Sequence, residues 1–367
     1  MNLFFDNIIF SLQKSGGISV VWFELLQRIL NDENIISRFI DLASENIFRQ
    51  KLSIPKSLIL NSSVQGLPLS IQRYLNPNNI KGVGIFHSSY YRVINNPQIR
   101  NITTVHDFTY EYFRKGLPKF IHSNQKGYAI KHSEKIICVS ENTKNDLLKF
   151  FPSINENRIS VIYNGVDDKY CPVANKTGSQ INQLIPFASG EYALYIGDRS
   201  SPYKNFNIAL SACSKSKLPF VMVGGGSLSK IEKELLKHKL GKYNFIQING
   251  IENSELNLLY NHAMCLLYPS IYEGFGIPIV EAQKAGCPVI CANRSSIPEV
   301  ASDGAFVLDE VSSDRISELL NQLKINNNIA RSVIDKGYIN AKRFSWDKCY
   351  QETKLVYKEV YEQFFNK

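Results

Sequence analysis

Short apolar runs alternate with helical patterns along this chain of 367 residues, and the alternation begins a second time near residue 191. In the first half, runs such as "NLFFDNIIF" and "KIICVS" are each followed by a stretch with helical spacing. In the second half, "EYALYIGD" and "PFVMVGGG" are followed by such stretches in the same way. Strands that alternate with helices build a parallel sheet that is covered on both faces. The sequence therefore predicts two doubly wound α/β units, as expected for a length too great for one ordinary core.

The boundary between the two units is predicted in a segment rich in Gly, Pro, Ser and Asn. We expect an N-terminal Rossmann-like domain over 1–172, a linker over 173–190 and a second Rossmann-like domain over 191–345. Apolar residues at helical spacing predict a long final helix over 346–367. Ligands of open parallel sheets bind at the carboxyl ends of the strands, so a ligand-binding cleft between the domains is expected.

Composition limits the class of protein. A hydrophobic fraction of 44% with 20% charged residues is typical of a soluble globular chain, and no run of 18 apolar residues predicts a membrane span. The apolar N-terminus is interrupted by Asp6 and lacks a small-residue cleavage site, so it predicts a first strand and not a signal peptide. Seven scattered cysteines without a C-x-x-C pair disfavour a zinc site and favour a reducing cytosol.

The formal net charge of +9 indicates either an anionic partner or a surface that Lys and Arg merely solubilise. The positive charge is dispersed along the chain, and no nucleic-acid-binding motif is present. A nucleic-acid partner is therefore not expected.

The segment "YPSIYEGFGIPIVEA" passes from a strand end through a glycine turn into a helix, and it carries Glu273 and Glu281. Gly274 and Gly276 allow the backbone to approach a ligand closely. A helix beginning near Pro278 would point its free N–H groups and positive dipole end at phosphate or sugar oxygens. Glu281 can then reach a diol such as a ribose, with Glu273 nearer the reacting end. Alone this is a weak signal, because such carboxylates also stabilise their own helix.

Two cations and a histidine follow other strand ends. Arg199 and Lys204 in "LYIGDRSSPYKNF" are well placed to hold a diphosphate, or else they are solvated loop charges. His106 and Asp107 come directly after the apolar strand in "NITTVHD". For His106 a structural and a functional role both stay open.

Glycines precede the first long helix, and several familiar cofactor motifs are missing. Gly16 and Gly17 lie between the first strand and that helix, whose N-terminus can bind an anion. No complete G-x-G-x-x-G loop and no G-x-x-x-x-G-K-[ST] loop occurs, which disfavours a nicotinamide cofactor. No Asp-x-Asp pair is present to hold a metal on a diphosphate. We therefore expect neither a cofactor nor a metal, with charge neutralised by Arg, Lys and helix ends.

Taken in order, these motifs resemble glycosyltransferase family 4, the retaining sugar-nucleotide enzymes of the GT-B fold. The resemblance covers nearly the whole chain and rests on "SGGISVVWFELL", "IFHSSYY", "TVHDFTYEYF", "ICVSENTKNDLLKFF", "LYIGDRSSPYKNF" and "YEGFGIPIVEAQKAG". It implies a GT-B fold, in which two Rossmann-like domains face each other across a cleft. It also implies that the final helix crosses back to the first domain.

The resemblance implies a role for each donor-site residue of the second domain. Glu273 would contact the transferred sugar, and Glu281 the ribose hydroxyls. Arg199 and Lys204 would neutralise the departing diphosphate. Sugar hydroxyls and a phosphate oxygen would be held by the backbone amides of a four-residue turn, Gly274, Phe275, Gly276 and Ile277.

In the first domain, the resemblance places His106 beside the donor sugar. Gly16 and Gly17 would lie against the phosphates or the acceptor. Asp107 belongs to the matching motif without a definite role. The implied activity is retaining, metal-independent sugar transfer.

The "GDRSSPYKNF" and "HD" segments resemble bacterial mannosyltransferases of O-antigen and capsule synthesis. The resemblance thus implies GDP-mannose as the first choice of donor, with another nucleotide sugar as the rival, and a lipid-linked oligosaccharide as acceptor. The alternatives are a GT-B nucleotide-sugar epimerase or phosphorylase, and a non-catalytic nucleotide-sugar-binding protein.

A cytoplasmic location is expected, with possible peripheral contact at the inner face of the membrane. Two basic segments, "FRQKLSIPKSLIL" and "FRKGLPKFIHSNQKGYAIKHSEK", are candidates for docking on anionic lipid. Helices with solvated lysines are the alternative interpretation of both.

Overall fold

A computed structural model of the chain describes residues 1–42, 44–61, 66–78, 80–174, 181–242 and 244–365. The chain divides into two compact units. The first unit contains Met1–Gly165 and Trp346–Lys367, and the second contains Val166–Ser345.

The first unit is built on a sheet of seven parallel strands in the order β3-β2-β1-β4-β5-β6-β7. The strand order reverses between β1 and β4, which makes their carboxyl ends the topological switch point of this sheet. The strands are β1 Asn2–Asp6, β2 Ile36–Ile40, β3 Ile59–Leu60, β4 Gly84–Ser88, β5 Ile99–Val105, β6 Lys135–Cys138 and β7 Ile159–Val161.

Helices connect the strands of the first unit as the sequence pattern predicts. In α7, for example, the Ser140 hydroxyl accepts a hydrogen bond from the Thr143 amide and so caps the helix N-terminus. The helices are α1 Ile8–Leu12, α2 Gly17–Ile29, α3 Ile47–Lys51, α4 Leu69–Gln72, α5 Thr109–Phe113, α6 Gly116–Lys131 and α7 Glu141–Phe150, with 3₁₀ turns at Lys56–Leu58 and Glu156–Arg158.

The second unit is built on six parallel strands in the order β10-β9-β8-β11-β12-β13. Its switch point lies between β8 and β11, so the loops that follow these two strands are where a ligand is expected. The strands are β8 Ala193–Ile196, β9 Phe220–Val223, β10 Phe245–Ile248, β11 Cys265–Tyr268, β12 Val289–Ala292 and β13 Phe306–Leu308.

Helices of the second unit cover this sheet. The helix α9 begins with a capping box, in which Ser229 and Glu232 each bond the other's backbone amide. The helices are α8 Phe206–Lys215, α9 Lys230–Leu240, α10 Asn253–His262, α11 Ile277–Ala285, α12 Ile297–Ala301, α13 Ser313–Ile325 and α14 Asn327–Ala341, with a 3₁₀ turn at Pro202–Lys204.

The final helix, α15 (Trp346–Phe365), belongs to the first unit although the chain has passed through the second. Its buried face joins the core that Phe5 and Trp22 form on the sheet. The Tyr357 hydroxyl lies 2.7 Å from Nδ1 of the buried His87 in β4. None of the described helices is long and apolar enough to cross a membrane.

The second unit begins at Val166, earlier than the predicted end of the first domain at 172. The cause is a set of side-chain hydrogen bonds that fasten this segment to α10. The Cys171 and Val173 amides donate to the side-chain oxygens of Asn257 and Asn261 at 3.1 and 2.9 Å. Residues 175–180 of the predicted linker lie outside the described part of the chain.

Candidate active site

Two loops meet at the switch point of the second unit. The loop after β8 contains Asn205, whose side-chain amide donates to the Pro269 carbonyl in the loop after β11 at 2.9 Å. In return, the Ile271 amide donates to the Tyr203 carbonyl at 2.9 Å. These two bonds hold the loop that carries Arg199 and Lys204 against the loop that carries Glu273.

An ion pair between Lys204 and Glu273 also joins these loops. Lys204 Nζ lies 2.5 Å from Glu273 Oε1, with side chains 16% and 12% exposed. The Tyr268 hydroxyl, at the end of β11, also bonds Glu273. The structure therefore brings together two residues that the sequence predicted separately, one for the diphosphate and one for the sugar.

The turn before α11 has the backbone shape that requires glycine at one position. Gly276 has φ 99°, and a Cβ built there would lie 3.3 Å from Ile279 Cδ1. The helix begins at Ile277, with Pro278 in its first turn, close to the predicted start. Phe275 is buried and packs edge-on against Phe344, so its side chain belongs to the hydrophobic core.

Two serines that sequence reasoning missed hold this turn in place. The Ser295 hydroxyl donates to the Glu273 carbonyl at 2.6 Å, and its oxygen accepts from the Glu273 amide at 3.2 Å. The Ser296 hydroxyl lies 2.9 Å from the Glu273 carbonyl and 3.1 Å from the Phe275 carbonyl. The serines follow β12, so only the adjacency of β11 and β12 places them beside the turn.

Arg199 lies in an enclosed position. Its side chain is 2% exposed, and Nε donates to Glu232 Oε1 at 3.0 Å. The guanidinium also donates to the carbonyls of Gly224, Gly225 and Gly226 at 2.6, 3.2 and 3.0 Å. All three glycines have positive φ, and a Cβ on Gly225 would lie 2.7 Å from Arg199 Nη1. The "GGG" loop, which fits no dinucleotide motif, thus binds this guanidinium through its carbonyls. Contact between Arg199 and a diphosphate stays a prediction.

Glu281, on α11, is held by two tyrosines. The Tyr260 hydroxyl donates to Glu281 Oε2 at 2.8 Å, and the Tyr170 hydroxyl also bonds this carboxylate. Burial raises the pKa of Glu281 to about 7, although both tyrosine hydrogen bonds lower it, and the charge of Asp167 adds to the rise.

This raised pKa predicts a pH-dependent stability difference between the wild-type protein and Glu281→Gln. The folded protein holds a proton on Glu281 that the unfolded chain releases near pH 4.5, so the wild type loses stability as the pH rises from 4.5 to about 7. Glutamine lacks this proton. The difference in melting temperature, Glu281→Gln minus wild type, measured without nucleotide, should therefore rise across this window and then level off.

A difference that stays constant with pH would contradict the raised pKa of Glu281. The control is Glu310→Gln, which changes an exposed glutamate of the same unit.

In the first unit, His106 and Asp107 follow β5 as predicted. Burial lowers the pKa of His106 to about 4, so its imidazole is neutral at pH 7. His106 and the buried His87 line a small cavity beneath α15. Asp107 Oδ1 accepts from the Thr109 amide at 2.8 Å, and the buried Lys126 donates to the Asp107 carbonyl at 2.8 Å. Although burial opposes ionisation, the charge of Lys126 and the bonds from Thr109 hold the pKa of Asp107 below its usual range.

Gly16 and Gly17 lie at the start of α2, after the strand at the switch point of the first unit. Gly16 is extended, with φ 165°, so its conformation does not demand glycine. A Cβ on Gly17 would meet no described atom within 4 Å. Space therefore remains beside Gly17 for a ligand to approach the helix N-terminus.

The described residues contain no group of three or more His, Cys, Asp or Glu side chains that could hold a metal ion. Metal independence stays a prediction. In the second unit, the residues that converge are a lysine, a carboxylate and a glycine turn at a helix N-terminus, a set suited to a diphosphate and a sugar.

Two family models match the chain. Residues 59–170 match the model described as Glycosyltransferase Family 4, and residues 180–339 match the model described as Glycosyl transferases group 1. The two matches together span most of the chain, including His106, Arg199, Lys204, Glu273 and Glu281.

Relatives and solved structures agree with these matches. The chain is 28% identical to O-antigen chain mannosyltransferase B of Escherichia coli over 71% of this chain and 70% of that protein. It is 28% identical to O-antigen chain mannosyltransferase RfbU of Salmonella typhimurium over 65% of this chain and 67% of that protein. The structure of Anabaena HepE in complex with UDP-glucose matches with a TM-score of 0.72 at 14% identity, over 98% of this chain and all of that chain. This likeness confirms the predicted GT-B fold class with its two parallel-sheet α/β units.

Proposed function

We propose, on the premise that this chain belongs to glycosyltransferase family 4, that it moves a hexose from a nucleotide-diphosphate donor to a saccharide acceptor, with retention and without a metal. The observation that carries the proposal is the Lys204–Glu273 pair at the switch point of the second sheet. An ammonium group and a carboxylate there match the two charges that develop when an anomeric bond breaks.

Breaking that bond leaves negative charge on the diphosphate and oxocarbenium character on the sugar. Lys204 would stabilise the diphosphate, and Glu273 would stabilise the sugar. His106, neutral at pH 7, would offer the donor sugar a hydrogen bond without repelling the developing cation. We assign retention to attack of the acceptor on the same face that the diphosphate leaves. The departing phosphate then takes the acceptor proton, and Glu273 is not a nucleophile.

GDP-mannose is the proposed donor, because two relatives are named O-antigen chain mannosyltransferases. A uridine-linked sugar is the second candidate, because the fold neighbour HepE binds UDP-glucose. Both candidates share the diphosphate and ribose that Lys204 and Glu281 would hold.

A thermal shift screen without added metal tests the donor. We expect GDP and GDP-mannose to raise the melting temperature, since a ligand at 100 times its dissociation constant stabilises the folded state by about 2.7 kcal/mol. UDP, UDP-glucose and UDP-N-acetylglucosamine serve as the comparison set. A preference for uridine nucleotides would discard mannose and keep the transferase. No shift with any nucleotide would contradict the donor site itself.

The proposed acceptor is a lipid-linked oligosaccharide, and the proposed place of action is the inner face of the cytoplasmic membrane. One supporting feature is a patch on α6 and the loop before it, which we call the Leu117 patch. Leu117 and Phe120 are 67% and 66% exposed, with the exposed cations Arg114 and Lys115 beside them in sequence. Apolar side chains with adjacent cations suit a membrane that contains anionic lipid.

Sedimentation with vesicles containing phosphatidylglycerol tests this contact. We expect the wild type to bind and the double variant Leu117→Ser, Phe120→Ser to bind much less, with binding weakened by salt. Ile231→Ser, which removes an 83% exposed apolar side chain from the second unit, is the matched control. A wild type that stays in the supernatant would refute membrane docking.

A further inference from the structure

Two buried tyrosines from different parts of the second unit hold the carboxylate of Glu281. The Tyr260 side chain lies on α10 and donates to Glu281 Oε2 at 2.8 Å. Tyr170 lies in the segment that enters the second unit from Val166, and its hydroxyl also bonds Glu281. The two rings meet edge to face with centroids 5.8 Å apart, and neither residue is more than 2% exposed. The carboxylate is therefore fixed from two sides.

A carboxylate has about four lone-pair sites, so two hydroxyl donors leave others to accept hydrogen bonds. A ribose presents two adjacent hydroxyls, which a carboxylate in a fixed orientation can accept together. If the carboxylate could rotate freely, part of the binding free energy would be lost in ordering it. The orientation of Glu281 thus matters as much as its presence.

We propose that Tyr170 and Tyr260 are positioning residues for the nucleotide, which hold the Glu281 carboxylate in the orientation that accepts the two ribose hydroxyls. This inference rests on the proposed function, in which Glu281 binds the ribose. It goes further by proposing that two tyrosines raise the affinity for a ribonucleotide through Glu281, without contacting the nucleotide themselves.

The position of Tyr170 is itself fixed by side-chain hydrogen bonds. The flanking residues Cys171 and Val173 are bonded to Asn257 and Asn261 of α10, the helix that also carries Tyr260. Both tyrosines thus depend on one helix. They form a support for α11 that is independent of the Lys204–Glu273 pair.

The tyrosines also affect the pH at which Glu281 can act. The titratable groups around it are Tyr170, Tyr260 and Asp167, with the Lys284–Asp168 pair and Cys287 nearby. Burial raises the pKa of Glu281 and the tyrosine bonds lower it. Because the ionised carboxylate is the stronger acceptor, removing one hydroxyl should move the onset of tight nucleotide binding to higher pH.

The test compares ribonucleotides with analogues that lack the ribose hydroxyls. Calorimetry would measure binding of GDP and 2′,3′-dideoxy-GDP, and of UDP and 2′,3′-dideoxy-UDP, to wild type, Tyr170→Phe and Tyr260→Phe from pH 5.5 to 8.5. Tyr192→Phe is the matched control, because it removes a buried hydroxyl of the same unit that donates to the Leu259 carbonyl at 2.6 Å.

We expect each of the two variants to bind the preferred ribonucleotide about tenfold more weakly at pH 7 and to bind its dideoxy analogue as wild type does. Tyr192→Phe should resemble wild type with both probes. Unchanged ribonucleotide affinity in both variants would overturn the proposal, as would an equal loss for both probes, which indicates a general effect on folding. A wild type that binds neither probe, or both equally, would instead refute the ribose role of Glu281 and with it this part of the proposed function.

Discussion

Replacing Lys204 by alanine is expected to lower turnover by about a hundredfold or more. Lys204 lies at the end of the loop after β8, and it is the cation that the described structure places against Glu273, at 2.5 Å. A preorganised cation acts on the charge that develops on the departing diphosphate, and removing one such group typically costs two to three orders of magnitude. Affinity for the free nucleoside diphosphate should fall as well, because in the proposed function the same charge would contact the ground-state diphosphate.

Single-turnover kinetics with saturating donor separates this effect from binding. Lys215→Ala is the matched control, since Lys215 forms an exposed ion pair with Asp314 in the same unit. That variant should keep wild-type turnover. If Lys204→Ala also transfers sugar at the wild-type rate, then Lys204 has no part in leaving-group stabilisation, and the assignment of the switch point as the donor site loses its main support.

Replacing Arg199 by alanine is expected to destabilise the second unit by about 1.5–3 kcal/mol, the usual cost of losing the hydrogen bonds of a buried charged group whose ion-pair partner is partly exposed. The guanidinium bonds Glu232 and three consecutive glycine carbonyls, and all four of these bonds would be lost at once, although Glu232 keeps its bond from the Ser229 amide. Arg199→Lys should also be destabilising, because one ammonium cannot reproduce the forked geometry of a guanidinium. Chemical denaturation of each variant without nucleotide measures the effect.

Arg294→Ala is the control for Arg199, since Arg294 is an exposed arginine that donates to the Asn293 and Asp309 carbonyls at 2.7 and 3.0 Å. Its loss should change stability little. If Arg199→Ala were as stable as wild type and yet inactive, then Arg199 would act on the diphosphate as the sequence predicted, and its enclosed position would not describe the working enzyme.

Much of the fold could be predicted from local patterns. Alternating apolar runs and helical spacing indicated two parallel-sheet units, and "EGFG" before "IPIVEA" indicated the turn that begins α11. These patterns are readable because the period of an element and the conformation of a glycine are properties of neighbouring residues.

The partners of the site residues could not be predicted in this way. Arg199 meets Glu232 and the glycine loop after β9, and Glu281 meets Tyr170, which lies 111 positions earlier in the chain. Such contacts depend on strand order and on which loops share an edge of the sheet. A sequence pattern can therefore place a charged residue at a strand end, but it does not show whether that charge faces a ligand or its own backbone.

The most direct test of sugar transfer uses GDP-mannose labelled in the mannose, with undecaprenyl-diphosphate-linked saccharides as acceptor and EDTA present. Our account predicts a labelled lipid-linked product whose amount does not fall with EDTA and whose label is released by an α-mannosidase and not by a β-mannosidase. The same product should be about a hundredfold slower to form with Lys204→Ala. Three results would contradict this account. They are release of the label by a β-mannosidase, loss of the product with EDTA, and no transfer from GDP-mannose or any uridine-linked sugar.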